Sequence, residues 1–198
     1  MRIAILSPTP EQLIPFIDTD IDEIVLLNEK ITLQFCRDNA VQFLISYNYR
    51  HIIQRDVLDY VFSNSINLHT SYLPFNRGSH PVLWSVLEDT PMGVSIHQID
   101  QGLDTGPLLV QKRIISFNPN LTLRQLHYQV NQELIFLFSQ NWENIRNGTY
   151  EPVPQNNQGT FHKKTDSGDF LSLLDKSWDT PIYEAKQAYV NYLNGEHL

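Results

Sequence analysis

Gln42-Phe43-Leu44-Ile45-Ser46-Tyr47 is a short, nearly unbroken apolar run, and Ser65-Ile66-Asn67-Leu68-His69, one helical segment later, reads as a further strand. The segment between them, around Asp56-Val57-Leu58-Asp59-Tyr60-Val61, has helix-like spacing of its apolar residues. A strand, a helix and a strand in close succession form the unit from which parallel sheets are built. Working outward, Arg2-Ile3-Ala4-Ile5-Leu6 is stopped by Ser7-Pro8-Thr9-Pro10, and both it and Glu23-Ile24-Val25-Leu26-Leu27 read as buried strands. Lys30 to Asn39 reads as a short helix with one apolar face. The first third of the chain therefore predicts an α/β fold with a mostly parallel sheet flanked by helices.

The pattern continues past Pro74. Pro81 to Glu88 reads as a helix, with Pro81 in its first turn and Val82, Leu83, Val86 and Leu87 inward. Val94-Ser95-Ile96-His97-Gln98-Ile99 alternates like a half-buried strand, with Leu108 to Ile114 as its partner across a short Gly-containing loop. Thr122 to Arg146 is a long amphipathic helix whose Leu123, Leu126, Val130, Leu134, Leu137, Phe138 and Ile145 share a face, ended by Asn147-Gly148. Pro152 to Gly159, including Asn156 and Asn157, reads as a polar loop. The remainder is too short for its own core and is expected to form an arm with one or two helices, such as Thr180 to Asn194. The expected organisation is a domain over residues 1–150 and a C-terminal extension over 151–198. No internal repeat or low-complexity tract is present.

Composition narrows the class of function. A formal net charge of −8 lacks the basic footprint of a nucleic-acid binder. No run approaches the roughly 20 apolar residues of a membrane span, so no membrane partner is expected. Cys36 is the single cysteine, which excludes an intrachain disulfide framework and fits a cytoplasmic protein. Its setting in Leu33-Gln34-Phe35-Cys36-Arg37 reads as a buried structural thiol. No Cys/His or carboxylate spacing suggests a metal site.

The chemistry is concentrated between Asn67 and Thr105. Residues two apart on a strand point to the same side, so Asn67 and His69 face one pocket. An amide there can donate to an oxyanion, and an imidazole can act as base or as a charged donor to the same oxygen. Asp104 can orient the His69 ring and relay a proton through water. By spacing alone, an N-x-H pair is more often structural than catalytic, and Asp104-Thr105-Gly106 is equally a turn.

The ordered motifs Asn67-Leu68-His69-Thr70-Ser71-Tyr72-Leu73-Pro74, Arg77-Gly78, Gly93-Val94-Ser95-Ile96-His97 and Gly102-Leu103-Asp104-Thr105-Gly106-Pro107 resemble the 10-formyltetrahydrofolate-dependent formyltransferases. The resemblance covers about 50 residues closely and the first 115 or so in outline. It implies a Rossmann-like domain in which Asn67, His69 and Asp104 match the family's catalytic residues. It also implies that the pterin of the co-substrate 10-formyltetrahydrofolate lies between Tyr49, Arg50, His51 and Ile52 on one side and Asp100, Gln101 and Gly102 on the other. Backbone groups do most of that recognition. The family usually has Gly where Ser46 or Tyr47 stands, and this sequence does not.

The acceptor is read from outside the shared core. The proline-rich Leu6-Ser7-Pro8-Thr9-Pro10 is a poor phosphate nest, unlike the Gly-rich loop of the purine-pathway members. The tRNA-directed members carry an additional C-terminal domain for which this length leaves no space. Gln158 to Asp166 and Ser177 to Ile182 resemble the tail of the nucleotide-sugar N-formyltransferases. The resemblance therefore implies a nucleotide-linked amino sugar, with Arg77, His80, His97, Phe161 and His162 as candidate substrate contacts. For Phe161 and Trp178 simple packing, and for His162-Lys163-Lys164 a solvated basic cluster, are the competing readings. His97 reads first as a hydrogen-bonded support beside His69. Two alternatives remain: hydrolysis of the formyl-folate, and a non-catalytic folate or nucleotide-sugar binding module. Tail aromatics and the strand from Leu108 to Ile114 offer a surface for a homodimer.

Overall fold

The computed structural model describes residues 1–62, 64–156 and 158–195; Asn157, assigned above to a loop, lies outside the described residues. Strands β1 (Arg2–Leu6), β2 (Glu23–Leu27), β3 (Phe43–Tyr47), β4 (Ser65–His69), β6 (Gly93–Gln98) and β7 (Leu108–Arg113) form one sheet in the order β2-β1-β3-β4-β6-β7. The pairs β1/β2, β1/β3 and β3/β4 are parallel, whereas β6 runs antiparallel to β4. Helices α1 (Leu33–Asp38), α2 (Arg55–Tyr60), α3 (Pro81–Leu87), α4 (Leu123–Arg146), α5 (Lys164–Ser172) and α6 (Ile182–Leu193) complete the regular structure. The two-residue strands β5 (Arg77–Gly78) and β8 (Phe161–His162) form a separate parallel pair.

Contacts gather into two compact units that alternate along the chain. One holds Met1–His69, Ser95–Gln111 and Leu134–Gln155; the other holds Thr70–Val94, Lys112–Glu133 and Asn156–Leu198. In the first unit, Ala4, Leu6, Cys36, Val41, Leu44, Val57 and Val61 share one core cluster. Trp142 packs edge-on against Phe43 and tilted against Phe138. All seven residues expected on the inner face of α4 are buried. Its start is a reciprocal cap: Thr122 Oγ1 accepts from Gln125 N, and Gln125 Oε1 accepts from Thr122 N. Its end is set by Gly148, at φ +66°.

In the second unit Leu73, Leu83, Val86, Leu126, Phe170 and Ile182 are buried apolar residues, and a polar knot is built around the buried Asn76. The Asn76 side chain donates to Ser85 Oγ at 2.8 Å and Thr90 Oγ1 at 2.7 Å and accepts from Thr160 Oγ1 at 2.8 Å. Those bonds place Thr160 and β8 beside β5, where Gly78 (φ +90°) is pressed against the His162 carbonyl.

Two strands differ from their sequence reading. β2 is an edge strand rather than a buried one, with Leu26 half exposed. β6 is buried along Gly93–His97 despite its polar alternation, because it lies between β4 and β7. No helix of the described residues is long and apolar enough to cross a membrane.

Candidate active site

The polar ends of β4 and β6 converge because the antiparallel register sets Asn67 opposite His97 and His69 opposite Ser95. The loop after β6 brings Asp104 to the same place, with its backbone in the left-handed region at φ +54°. Asn67 Nδ2 donates to Asp104 Oδ1 at 3.0 Å and lies 3.3 Å from His97 Nε2. His69 Nδ1 is 3.7 Å from Asp104 Oδ2, and His97 Nε2 is 3.6 Å from Asp104 Oδ1. The His69 and His97 rings cross edge-on with centroids 6.4 Å apart. The side chains of His69, His97 and Asp104 are 10% exposed or less.

Hydrogen-bond inventory settles the tautomer of His97. Its Nδ1 lies 2.7 Å from the Gln98 carbonyl, which can only accept, so Nδ1 carries the proton. In the neutral ring Nε2 then accepts from Asn67. Both amide hydrogens of Asn67 are thus engaged, one by Asp104 and one by His97.

The loop from Asp100 to Gly106 is built to hold this arrangement. Asp100 Oδ1 accepts from Gly102 N at 3.0 Å and from Thr105 Oγ1 at 2.7 Å. A β-carbon at Gly102 would strike Thr105 Oγ1, and one at Gly106 would strike the Gln98 carbonyl, so both positions require close approach. Gln155 Nε2 donates to the carbonyls of Asp104 at 2.9 Å and Gly106 at 2.7 Å. Sequence reasoning missed Gln155, which sits in a polar stretch with no motif around it.

A cleft of about 150 Å³ opens beside these groups, lined by Ser46, Tyr49 to Ile53, Asn67, His97 and Ile99 to Asp104. Tyr49, Arg50, His51, Ile52, Asp100, Gln101 and Gly102 thus share one cleft with Asn67, His97 and Asp104. Tyr47 is not part of the lining. It is fully buried, and its hydroxyl donates to Gln12 Oε1, so the bulk at this position goes into the core. The Tyr49 hydroxyl ties the near wall to the chain before α1 by donating to the Glu29 carbonyl and accepting from Ile31 N. Exposed Ile52 and Leu103 supply apolar surface on the two sides.

Arg77, His80, Phe161 and His162 belong to the other unit. His80 Nδ1 contacts the buried Ser167 hydroxyl, and its ring meets Trp178 edge-on. His162 stacks on Trp84 at 4.0 Å and approaches Glu88 at 3.2 Å. Phe161 keeps half its surface exposed. Among the described residues no cluster of three His, Cys, Asp or Glu is placed to hold a metal ion.

The formyl transferase family model matches residues 26–138, more than half of the chain. The chain belongs to the formyl transferase family. Over 95% of its length it is 40% identical to the formyltransferase PseJ from Anoxybacillus kamchatkensis, covering 100% of that chain with a TM-score of 0.88. PseJ was solved in complex with UDP-4,6-dideoxy-4-formamido-L-AltNAc and tetrahydrofolate. A 4-N formyltransferase from Francisella tularensis shares the fold at 16% identity and a TM-score of 0.74, over 95% of this chain and 85% of that one. The methionyl-tRNA formyltransferase of Agathobacter rectalis is 28% identical over 164 residues, 82% of this chain and 52% of that one. The Thermodesulfovibrio yellowstonii enzyme of the same name is 36% identical over 123 residues, 61% of this chain and 39% of its own. The chain thus spans about half or less of the length of these curated relatives.

Proposed function

We propose that the chain is an N-formyltransferase that moves a formyl group from 10-formyltetrahydrofolate onto the amine of a nucleotide-linked amino sugar. The observation that carries this reading is the convergence of Asn67, His69, His97 and Asp104 beside one cleft. The 40% identity to PseJ over its whole length supports the sugar branch.

The cleft suits a flat heterocycle: backbone groups of Tyr49 to Ile53 and of Asp100 to Leu103, apart from the Gly102 amide bonded to Asp100, can read its edge, and Ile52 and Leu103 can cover its faces. When bound, the folate would supply an activated formyl amide. The protein's own groups do the rest. Asn67 Nδ2 keeps its bond to Asp104, and its second hydrogen, held by His97 only at the longer 3.3 Å, can be shared with the formyl oxygen. His69 takes the proton of the attacking amine, and Asp104 Oδ2, 3.7 Å from Nδ1, holds the charged ring. The same proton would then pass from His69 to the folate nitrogen as the bond between that nitrogen and the formyl carbon breaks.

Residues 1–150 are assigned as the catalytic domain, and 151–198 as an extension rather than an independent domain. Asn156–Leu198 shares one unit with Thr70–Val94 and Lys112–Glu133, which supports the reading of the extension as not independent. Of the candidate acceptor contacts, Phe161 keeps exposed surface for a base or sugar ring. His80 and His162 already spend ring atoms on Ser167 and Glu88.

The test is a formylation screen with 10-formyltetrahydrofolate and a panel of amino-sugar nucleotides, read by mass spectrometry. Gain of one formyl group on an amino-sugar nucleotide supports the proposal. Formate release without any acceptor would assign a hydrolase. Formylation of methionyl-tRNA alone, or neither turnover nor folate binding, would overturn it.

A further inference from the structure

Asp104 must hold a left-handed backbone while its carboxylate stays 3.0 Å from Asn67 Nδ2 and 3.7 Å from His69 Nδ1. Bonds within the loop account for part of this. Asp100 ties down Gly102 and Thr105, and Gln98 N donates to the Pro107 carbonyl at 2.8 Å. The peptide planes that follow Asp104 and Gly106 receive a different tether. A side-chain amide has two hydrogens, and the two from Gln155 go to the Asp104 and Gly106 carbonyls at 2.9 and 2.7 Å. Gln155 is itself anchored, because Val153 and Leu108 exchange two backbone bonds of 2.8 Å each. The segment after α4 is thereby registered against the start of β7, and Gln155 is carried to the loop at a set height.

We propose that Gln155 is a positioning residue: by bonding the two carbonyls that flank Thr105, it fixes the direction of the Asp104 carboxylate toward Asn67 and His69. The proposal rests on the formyl-transfer reading above. Small displacements of a catalytic group are costly because the reacting geometry tolerates little error. Chemistry also explains why the residue is Gln. Glu has the same reach but would aim carboxylate oxygens at two carbonyl oxygens, and Asn is one methylene short.

The experiment compares wild type, Gln155→Ala, Gln155→Glu, Asp104→Asn and the double variant Gln155→Ala/Asp104→Asn. Gln155→Ala is expected to lower kcat by about 10- to 100-fold, in the range for partners that orient reacting groups. KM for the acceptor should change by no more than about twofold, since truncation leaves the binding walls in place. Gln155→Glu should be at least as slow. Adding Gln155→Ala to Asp104→Asn should cost little more, because both changes act through one carboxylate. The Asn67 side-chain amide signals in a ¹H–¹⁵N spectrum should shift in Gln155→Ala in the same direction as in Asp104→Asn. Wild-type kcat in Gln155→Ala, rate losses that multiply in the double variant, or unchanged Asn67 signals would each overturn the proposal. Absence of formylation by the wild type would instead sink the formyl-transfer reading, while the Asn67 signals still decide the role of Gln155.

Discussion

Asn67 Nδ2 donates to Asp104 Oδ1 across 3.0 Å although 37 positions separate the two residues. The bond fixes which face of the Asn67 amide the cleft sees. It also leaves the hydrogen directed at His97, at 3.3 Å, as the one that a bound oxygen can share.

Removing either partner should therefore stop turnover without unfolding the protein. Asn67→Ala should lower kcat by about 10²- to 10³-fold, the usual cost of losing one oxyanion donor. Asp104→Asn should cost about 10²- to 10⁴-fold through His69. In both, circular dichroism and melting temperature should stay close to wild type; near-wild-type rates would remove the mechanism.

Gly106→Ala should damage the site through the backbone. Its β-carbon would meet the Gln98 carbonyl, so the loop must move away from β6. A cost of about 1–3 kcal/mol is expected from such overpacking, together with loss of formylation. Unchanged activity at an unchanged urea midpoint would show that the loop has slack.

Acid should loosen the cluster around Trp178 before it reaches ordinary carboxylates. Burial holds the His80 ring below the usual histidine range, with repulsion from His127 and Lys164 adding to it, and burial does the same to His127. Both rings face Trp178, at 5.2 and 6.0 Å. Their folded-state values lie below the unfolded value of about 6.5, so the unfolded chain binds more protons beneath it. Their contribution is fully present above about pH 6.5 and is lost as pH falls through the folded values. Urea unfolding from about pH 7.5 to 5 should show this decline, and His80→Asn/His127→Asn should flatten it. An equal slope in the double variant would rule out these rings as its source.

The Asp22–Arg146 pair should be a second acid-sensitive point, lower on the pH scale. Arg146 Nε and Nη2 donate to the two Asp22 oxygens at 2.6 and 2.7 Å, and the Asp22 side chain is 1% exposed. The guanidinium bonds hold the carboxyl below its usual range against the opposing effect of burial. A depressed folded value means that this stability is present above about pH 3.9 and is lost as pH falls through the folded value. The Met1 ammonium group also bonds Asp22 Oδ1, at 2.5 Å. Arg146→Met therefore leaves the carboxylate one cation and should cost about 1–3 kcal/mol at neutral pH, less than the roughly 3–5 kcal/mol of a fully stranded buried charge. A loss well below 1 kcal/mol in urea would show that the Met1 ammonium group alone satisfies Asp22.

Cys36 should be silent in the native state. It is fully buried within the core cluster, and desolvation, helped by Asp56, pushes its thiol up to about 11. A disulfide reagent at mildly alkaline pH should label it only after denaturant is added. Rapid native labelling would indicate that α1 opens.

The strands β1 and β3 were legible because a strand buried on both faces needs a nearly continuous apolar run, and these segments have one; β4 was legible from Ile66 and Leu68 alternating with polar residues. α4 was legible for the complementary reason, a long 3.6-residue apolar spacing with a Gly stop. Apolar composition does not say where a strand lies in its sheet. Glu23–Leu27 reads like a core strand but forms the edge, and the polar residues of β6 are buried where they find partners: Ser95 Oγ accepts from Gln111 Nε2 at 2.9 Å. Two-residue strands such as β5 and β8 are too short for any pattern, and their pairing depends on the Asn76 knot.

The sequence by itself determined the α/β class, the family and the pairing of Asn67 with His69 on one strand face. Local backbone geometry suffices for the strand face, because side-chain alternation needs no partner; the family came from the resemblance of its ordered motifs. Tertiary structure alone decided that His97 stands opposite Asn67, that Asp104 adopts a left-handed turn within reach of both, and that Gln155 braces that turn. Each of these is a contact between chain segments distant in sequence, set by strand register and loop closure, which no local pattern encodes.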